Sequence, residues 1–390
     1  MKLRKGKSYC GLQAGRDGKT ALRLLIVAAA ALAAVLFSAC RVKTNPEIAI
    51  VTVFYENTPA ATEDPYIIVP ETPTVSPMVE SPISFTDINF ENAVREFLGK
   101  NLGYIYPSDL KDVTRFSARV SGIINVNEIV YFTSLEELDL MGNRINDLSP
   151  IAALKNLKKL NVARNFTVMT GDREKGLDIS PLGALPLLEE LDASNNLITD
   201  VSALASLKSL TWLDIQNNRL TSLDGLENCK ALEYLNISNS FRIDADNNES
   251  GITDISPLAE LTSLKTLYMR NGLVGSLEPL KNLDSLEYID ATYNALRHLP
   301  NMNYMSGLQT LIVRFNNILD LDGLAMQRNL RVLDARDNFI RDITVILLLP
   351  HLETVYFDGN PVQDYRPLDL FNATRNGSSG RPENQTTPEQ

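Results

Sequence analysis

The chain has 390 residues, of which 44% are hydrophobic and 22% are charged, and its formal net charge is −11. This composition supports a large core and excludes wholesale disorder. A chain this acidic, with no basic block outside its first 25 residues, is repelled by phosphate backbones, and three cysteines and two histidines supply little material for zinc, haem or thiol sites. We therefore expect no nucleic-acid partner, no cofactor and no metal.

The first 39 residues have the pattern of an export signal. Seven basic side chains and one acidic one precede an uninterrupted apolar run from Leu24 to Phe37, which closes on small residues. A run of this length is shorter than the roughly 20 residues of a spanning helix, and an uncleaved membrane anchor is the alternative. The stretch ending at Cys40 resembles a bacterial lipobox. The resemblance implies lipidation of Cys40 and an extracytoplasmic protein anchored at the cell membrane.

Residues 40–84 are predicted to form a linker, and residues 85–112 a helical cap. The linker contains seven prolines and many threonines, a composition typical of extended spacers. Apolar residues in the cap fall at helical spacing, and a second short helix is expected at 108–110. They are Val94, Phe97, Leu98 and Leu102.

One template recurs about eleven times between residues 113 and 371. Apolar residues stand at its first, fourth and sixth positions and Asn at its ninth, and most of its successive starts are 22 residues apart. The alternation around positions four to six predicts one short strand in each unit. Residues 372–390 lack such a pattern and are expected to be disordered. The unit starts are Val113, Leu135, Leu157, Leu188, Leu210, Leu232, Leu264, Leu286, Leu308, Leu330 and Leu352.

The template L-x-x-L-x-L-x-x-N-x-I resembles the leucine-rich repeat family, in the 22-residue form of internalin-like bacterial surface proteins. The resemblance implies an α/β solenoid shaped as a horseshoe, with a parallel concave β-sheet, convex turns or 3₁₀ segments and an N-terminal helical cap. It also implies that the ninth-position Asn turns inward to satisfy backbone groups. Segments such as Asp147 to Pro150 are predicted to form the convex turns.

Two insertions, 166–176 and 241–251, follow the ninth position of their units, so both are expected at one edge of the solenoid, where they could flank a ligand. The second insertion carries oxygen-bearing side chains at alternating positions, as a calcium loop of EF type does. Such a loop needs Gly at its sixth position and Glu at its twelfth, where this chain has Glu249 and Ile255, so a polar surface loop is favoured over a calcium site. The alternating oxygen-bearing residues are Asp244, Asp246, Asn248 and Ser250.

The sequence contains no catalytic motif that we recognise. Cys229 occupies a core position of its unit and is predicted to be a buried small hydrophobe without a disulfide partner. His298 and His351 have no partners at metal-ligand spacing, and there is no Gly-x-Ser-x-Gly. We therefore expect the protein not to be an enzyme.

In a repeat strand, the third, fifth, seventh and eighth positions point away from the core and form the concave surface. Aromatic residues collect there from the unit at Leu210 onward, and such residues dominate binding hot spots. The alternative is that the rings simply pack against neighbours across the ladder. The aromatic candidates are Trp212, Tyr234, Tyr268, Tyr288, Tyr293, Phe315 and Tyr356. The charged candidates, expected to set orientation and specificity, are Asp214, Asp290, Asp334, Arg270, Arg314 and Arg336.

The leading hypothesis is a monomeric, lipid-anchored binding module whose concave face recognises a protein or an extended peptide. Internalin-like relatives use this face for adhesion to proteins, as the resemblance implies. An alternative is an envelope lipoprotein that binds glycan or cell wall, since aromatic rows also stack on sugar rings. A third hypothesis is a passive structural lipoprotein with no partner.

Overall fold

A computed structural model describes residues 80–165, 176–243, 247–375 and the backbone of 378–380. Within these ranges, one parallel sheet of twelve strands follows the chain, and each strand pairs with that of the next repeat. Eleven of its strands lie at positions three to five of the eleven predicted units, which confirms the solenoid. They are β1 Arg115–Ser117, β2 Glu137–Asp139, β3 Lys159–Asn161, β4 Glu190–Asp192, β5 Trp212–Asp214, β6 Tyr234–Asn236, β9 Thr266–Tyr268, β10 Tyr288–Asp290, β11 Thr310–Ile312, β12 Val332–Asp334 and β13 Thr354–Tyr356.

Each of the eleven repeat strands buries its central residue in the core, and β5, β6, β10 and β12 bury their third residue as well. Leu138 of β2 lies beside Leu160 of β3, and both are almost fully buried. The leucines of every unit pack against those of its neighbours, so that one continuous core runs from Phe90 to Phe371. Burying one such side chain contributes roughly 1.5–3 kcal/mol. Each repeat therefore depends on the next one for its stability.

The convex side is made of 3₁₀ turns, as the Asp-x-Ser-Pro motifs predict. Asp147 accepts a hydrogen bond from the amide of Ser149 at 2.8 Å. Ser149 is the first residue of the 3₁₀ segment Ser149–Ala153. Pro150 fits the first turn because no backbone donor is needed there. Ile151 then points back into the core.

The ninth-position asparagines form the expected buried ladder. The Nδ2 of Asn316 donates to the carbonyl oxygens of Ala291 at 2.9 Å and Val313 at 3.0 Å, and its Oδ1 accepts from the amide of Leu296 at 3.0 Å. One amide therefore satisfies backbone groups of two successive repeats. Cys229 is also fully buried, as its position in the unit predicts.

The N-terminal cap contains helices α1 Ile88–Leu98 and α2 Pro107–Leu110. Its buried face differs from the predicted one, because Phe90 and Val94 are fully buried whereas Phe97 and Leu102 are exposed. The helix places Phe90 and Val94 four residues apart on the side that faces the first repeat, and this leaves Phe97 beside the concave surface.

Asp87 joins the cap to the first repeat. One carboxylate oxygen accepts from the amide of Asn89 at the start of α1, and the other accepts from the amides of Ile124 at 2.6 Å and Asn125 at 2.9 Å. The cap also begins earlier than the predicted boundary at residue 85, because the amide of Ile83 donates to the carbonyl of residue 105 at 2.8 Å.

The C-terminal expectation is partly wrong. Helix α3, Arg366–Arg375, covers the last repeat with the fully buried Leu368 and Phe371, and strand β14, Ser378–Gly380, extends the sheet beyond β13. The segment predicted to be disordered from residue 372 therefore begins with ordered structure. Only Leu368 and Phe371, three residues apart, bury large apolar side chains from this helix. Two such residues are sufficient because the helix packs on a core that the repeats have already formed.

Several sequence predictions fall outside the described residues. They include the signal segment with Cys40, most of the linker, residues 166–175 of the first insertion and residues 244–246 of the second. The rest of the second insertion forms a hairpin of β7, Arg242–Ile243, and β8, Glu249–Ser250. No helix in the described ranges has the length and apolar character needed to cross a bilayer.

Candidate functional site

The concave face is built from the outer residues of the three-residue strands. Because the repeats stack in register, residues at the same position lie directly beside one another: Trp212 of β5 is paired with Tyr234 of β6. Side chains at position three, five or seven therefore form columns that cross the sheet.

Four of the predicted aromatic residues contact each other in a continuous line, which we call the aromatic row: Trp212, Tyr234, Tyr268 and Tyr288. The rings of Trp212 and Tyr234 are stacked, with centroids 5.0 Å apart and planes 9° apart. Tyr268 lies 5.8 Å from Tyr234 and 5.0 Å from Tyr288, in tilted contacts. All four side chains are half-buried, so the rings pack across the ladder and also remain partly accessible.

The phenols of Tyr234 and Tyr288 stay protonated, because the pKa of each is raised. Burial raises the pKa of Tyr234 to about 12, and the carboxylate of Asp214 adds to the effect. Burial likewise raises the pKa of Tyr288 to about 12, with Asp290 acting in the same direction. These two residues therefore offer neutral hydroxyl groups to a ligand at any physiological pH.

A second aromatic contact lies further along the repeat, between Tyr293 and Phe315, which we call the aromatic pair. Both occupy the eighth position of their units, where the backbone is left-handed in all eleven repeats. Asn or Gly fills most of these positions, because those residues tolerate positive φ. Tyr293 and Phe315 adopt it at φ values of 56° and 55°, and their side chains are 53% and 37% exposed.

Three of the predicted charged contacts, Asp214, Asp290 and Asp334, are buried, which corrects the expectation that they face a partner. Asp290 is 1% exposed and accepts hydrogen bonds from the amide and hydroxyl of Thr292 and from Nε of Arg270 at 2.7 Å. Asp214 accepts from the amide of Gln216. Burial raises the pKa of Asp214. These carboxylates hold neighbouring groups in place instead.

The seventh-position arginines differ in their partners. Arg270 pairs with Asp290 at 2.6 Å, and Arg336 pairs with Asp334 at 2.6 Å and lies 5.1 Å from the ring centre of Tyr356. Arg314 stands between these two repeats and borders a concave hollow of about 340 Å³. The hollow is lined by Asn239, Arg270, Asn271, Thr292, Tyr293 and Arg314.

A larger hollow of about 610 Å³, which the sequence did not indicate, occupies the amino-terminal half of the concave face. Phe97 of the cap and Trp212 are among its lining residues. The signal that could have revealed it is Phe97, an aromatic residue off the core-facing side of α1. Acidic residues outnumber basic ones in the lining of this hollow, and both basic residues are paired, Lys159 with Glu190 at 2.6 Å and Arg115 with Glu137 at 3.2 Å.

In the described part of the chain, no group of three or more His, Cys, Asp or Glu side chains is placed to hold a metal ion. The calcium alternative concerned residues 244–250, of which 244–246 lie outside that part. The concave face thus offers apolar ring edges, hydroxyl donors and guanidinium groups, which are contact-making functions.

Comparisons with known proteins agree with this architecture. A family model described as "Leucine Rich repeats (2 copies)" matches residues 133–168 and 208–250. An internalin (inlF) of Listeria monocytogenes is 24% identical with a TM-score of 0.52, covering 79% of this chain and 99% of that one. An internalin C2 of the same species is 26% identical with a TM-score of 0.47, covering 63% and 92%.

A plant protein shares the fold as well. The leucine-rich-repeat ectodomain of the receptor kinase GASSHO1/SCHENGEN3 from Arabidopsis thaliana, solved in complex with CASPARIAN STRIP INTEGRITY FACTOR 2, is 22% identical with a TM-score of 0.53. The match covers 65% of this chain and 30% of that chain. No curated protein matches the chain by sequence. The chain has the leucine-rich-repeat fold, in the arrangement of the internalins.

Proposed function

We propose that the chain is an extracytoplasmic binding module that recognises a protein or an extended peptide on its concave face. The observation that carries the proposal is the aromatic row, a line of four contacting rings on the open side of the sheet. Trp and Tyr side chains supply large contact area at low conformational cost and often contribute 2 kcal/mol or more each at interfaces. The Arabidopsis ectodomain shows that the same fold holds a ligand.

Ring geometry favours a peptide over a glycan. Sugar rings stack on open aromatic faces, yet Trp212 and Tyr234 cover one face of each other at an interplanar angle of 9°. Tyr293 and Phe315 do the same at 3°. What these pairs present is ring edge and hydroxyl, which suits the mixed apolar and polar surface of a polypeptide.

We further propose that the module is held at the cell membrane through a lipid on Cys40, with residues 41–79 as the spacer. The basic and apolar order of the first 39 residues and the lipobox-like stretch support this. A mass-spectrometric measurement of the mature N-terminus tests it. A diacylglyceryl group on Cys40 is the expected result, and a chain that retains residues 1–39 would contradict it.

The binding proposal is tested by photocrosslinking on intact cells. A photoreactive phenylalanine analogue at Tyr288, on the concave row, is compared with one at Leu348, which is exposed on the convex side. We expect one polypeptide partner, identified by mass spectrometry, that is captured from position 288 and not from 348. Equal capture from both positions would contradict the proposal, and saturable binding of a glycan that survives proteolysis would favour the alternative.

A further inference from the structure

We propose that Arg314 binds a carboxylate of the peptide ligand, so that the concave face selects acidic sequences. This inference rests on the proposed function, because it names the chemistry of the ligand at that same face. It follows from the partners of neighbouring arginines, the residues that line the hollow, and the position of the aromatic pair.

Arg314 lacks the carboxylate that its equivalents have. In the next repeat, the fifth-position Asp334 pairs with the seventh-position Arg336. The repeat of Arg314 has Ile312 at the fifth position, and the register places Ile312 beside Asp334, whose two oxygens are already bound by Arg336. In the described part of the chain, Arg314 therefore forms no ion pair, and its Nε is shielded from solvent without a hydrogen-bond partner.

An unsatisfied buried donor on a charged group is costly, and native proteins seldom keep one without a reason. A ligand carboxylate at the terminal nitrogens of the same guanidinium would supply the charge partner that Arg314 lacks in the described part of the chain. A carboxylate is the acceptor that matches a guanidinium best, since two parallel hydrogen bonds reinforce the charge attraction.

The hollow beside Arg314 keeps a positive charge, because Asp290 balances Arg270 and leaves Arg314 without a carboxylate partner in the described part of the chain. Its six lining residues include two arginines and two asparagines, and none is acidic. The chain as a whole carries a net charge of −11. A cationic hollow of about 340 Å³ on an acidic protein is complementary to an anionic ligand group and to few other chemistries.

The aromatic pair places this charge next to an apolar contact. Tyr293 lines the hollow, and Phe315 follows Arg314 directly in the chain. Both rings keep an unfavourable left-handed backbone. Strain of this kind persists where the surrounding structure or a function demands it. The arrangement fits a peptide that inserts an acidic side chain, or its C-terminal carboxylate, at Arg314 while its neighbouring residues contact the rings.

The test uses two random octapeptide libraries, selected on the full chain in detergent. One library ends in a free carboxyl terminus, and in the other the octapeptide is followed by a carrier domain. We expect enrichment of Asp or Glu of about tenfold at one peptide position. Enrichment in both libraries identifies an acidic side chain as the ligand group, whereas binders found only in the first library identify the terminal carboxylate.

Two variants test the role of Arg314 itself. Arg314→Gln removes the charge. Ile312→Asp keeps Arg314 but gives it a carboxylate partner in its own repeat, at the position from which Asp334 pairs with Arg336 in the next repeat. Both should lower the affinity of the selected peptides about 10- to 100-fold and erase the acidic preference. Arg366→Gln, at the start of α3, away from the concave strands and paired with Asp364, is the matched control and should change neither.

The outcomes separate the inference from the function on which it rests. Binders recovered from both libraries without acidic enrichment, or an affinity that survives both Arg314→Gln and Ile312→Asp, would overturn the inference and leave peptide binding in place. Recovery of no peptide above the input from either library would overturn both.

Discussion

Tyr293 and Phe315 stack face to face across two neighbouring repeats, with ring centroids 4.3 Å apart, while both backbones are left-handed. Six of the other nine repeats have Asn or Gly at this position, which relieves the strain. A bulky residue there costs of order 1–3 kcal/mol, and the stacked contact returns about 0.5–1.5 kcal/mol. The pair therefore contributes little net stability, which is consistent with a role in binding.

Replacing Phe315 with Asn should separate stability from binding. The relieved strain and the lost stack nearly cancel, so the unfolding free energy should change by less than about 1 kcal/mol, whereas ligand affinity should fall at least about tenfold. Thermal denaturation and calorimetric titration measure the two quantities. A loss of several kcal/mol in stability with unaltered affinity would show that the pair is structural.

Val120 provides the matched control for that strain. It occupies the same left-handed position in the first repeat at φ 53°, and its side chain is 75% exposed. Val120→Asn should stabilise the protein by about 1 kcal/mol, because Asn tolerates this conformation and no aromatic contact is lost. Ligand affinity should not change. A lower melting temperature would contradict the strain argument.

The asparagine ladder predicts a large effect from one interior amide. Asn316→Ala leaves the carbonyls of Ala291 and Val313 and the amide of Leu296 without their partner, so unfolding should require about 3 kcal/mol less. Asn329→Ala is the control, because Asn329 is exposed and donates a single hydrogen bond, to Ser306. Chemical denaturation compares the two, and equal losses would argue against the ladder.

The sequence predicted the repeated parts of this fold well and its ends less well. Periodicity places residues such as Leu138 and Asn316 because every unit imposes the same environment on them. The cap and the final helix have no such repetition. Phe97 and Phe371 are both aromatic residues at helical spacing, yet the first is exposed and the second is fully buried, since only the core that each helix covers decides which side faces inward.

Acid should weaken the junction between cap and repeats. Burial alone would raise the pKa of Asp87, but backbone hydrogen bonds, including those from Ile124 and Asn125, outweigh it and hold the pKa below its ordinary value of 3.8. A lowered folded-state pKa means that the carboxylate stabilises the fold above the unfolded value and that this contribution is lost as pH falls through the folded one.

Asp87→Asn tests this linkage. At neutral pH the variant should be less stable by about 2 kcal/mol, because an amide nitrogen cannot accept hydrogen bonds from two backbone donors. The difference should shrink as the pH falls below 3.8. Denaturant unfolding from pH 7 to pH 2 measures it, with the exposed Asp284→Asn as control. A gap that is independent of pH would contradict the assignment.

The candidate site was only partly predictable. The aromatic row could be found because its members stand at the third or fifth position of successive repeats, and the register of the sheet follows from the period. The sequence could not show that Asp290 is buried while Arg314 is unpaired, because both depend on which neighbour claims each carboxylate. Ile312 is the sequence clue, an aliphatic residue at a position where three neighbouring units carry Asp, Asp and Tyr.

Trp212 allows the most direct measurement of the central claim, because it is the only tryptophan in the chain and belongs to the aromatic row. The ligand obtained by crosslinking or selection is titrated into the full chain while Trp212 emission is recorded, and calorimetry on the same sample measures binding. A Trp212→Phe, Leu348→Trp variant carries the reporter on the convex side. Our account predicts a saturable blue shift for Trp212 and none for the convex reporter. Calorimetric binding that leaves Trp212 emission unaltered and shifts the convex reporter would contradict it.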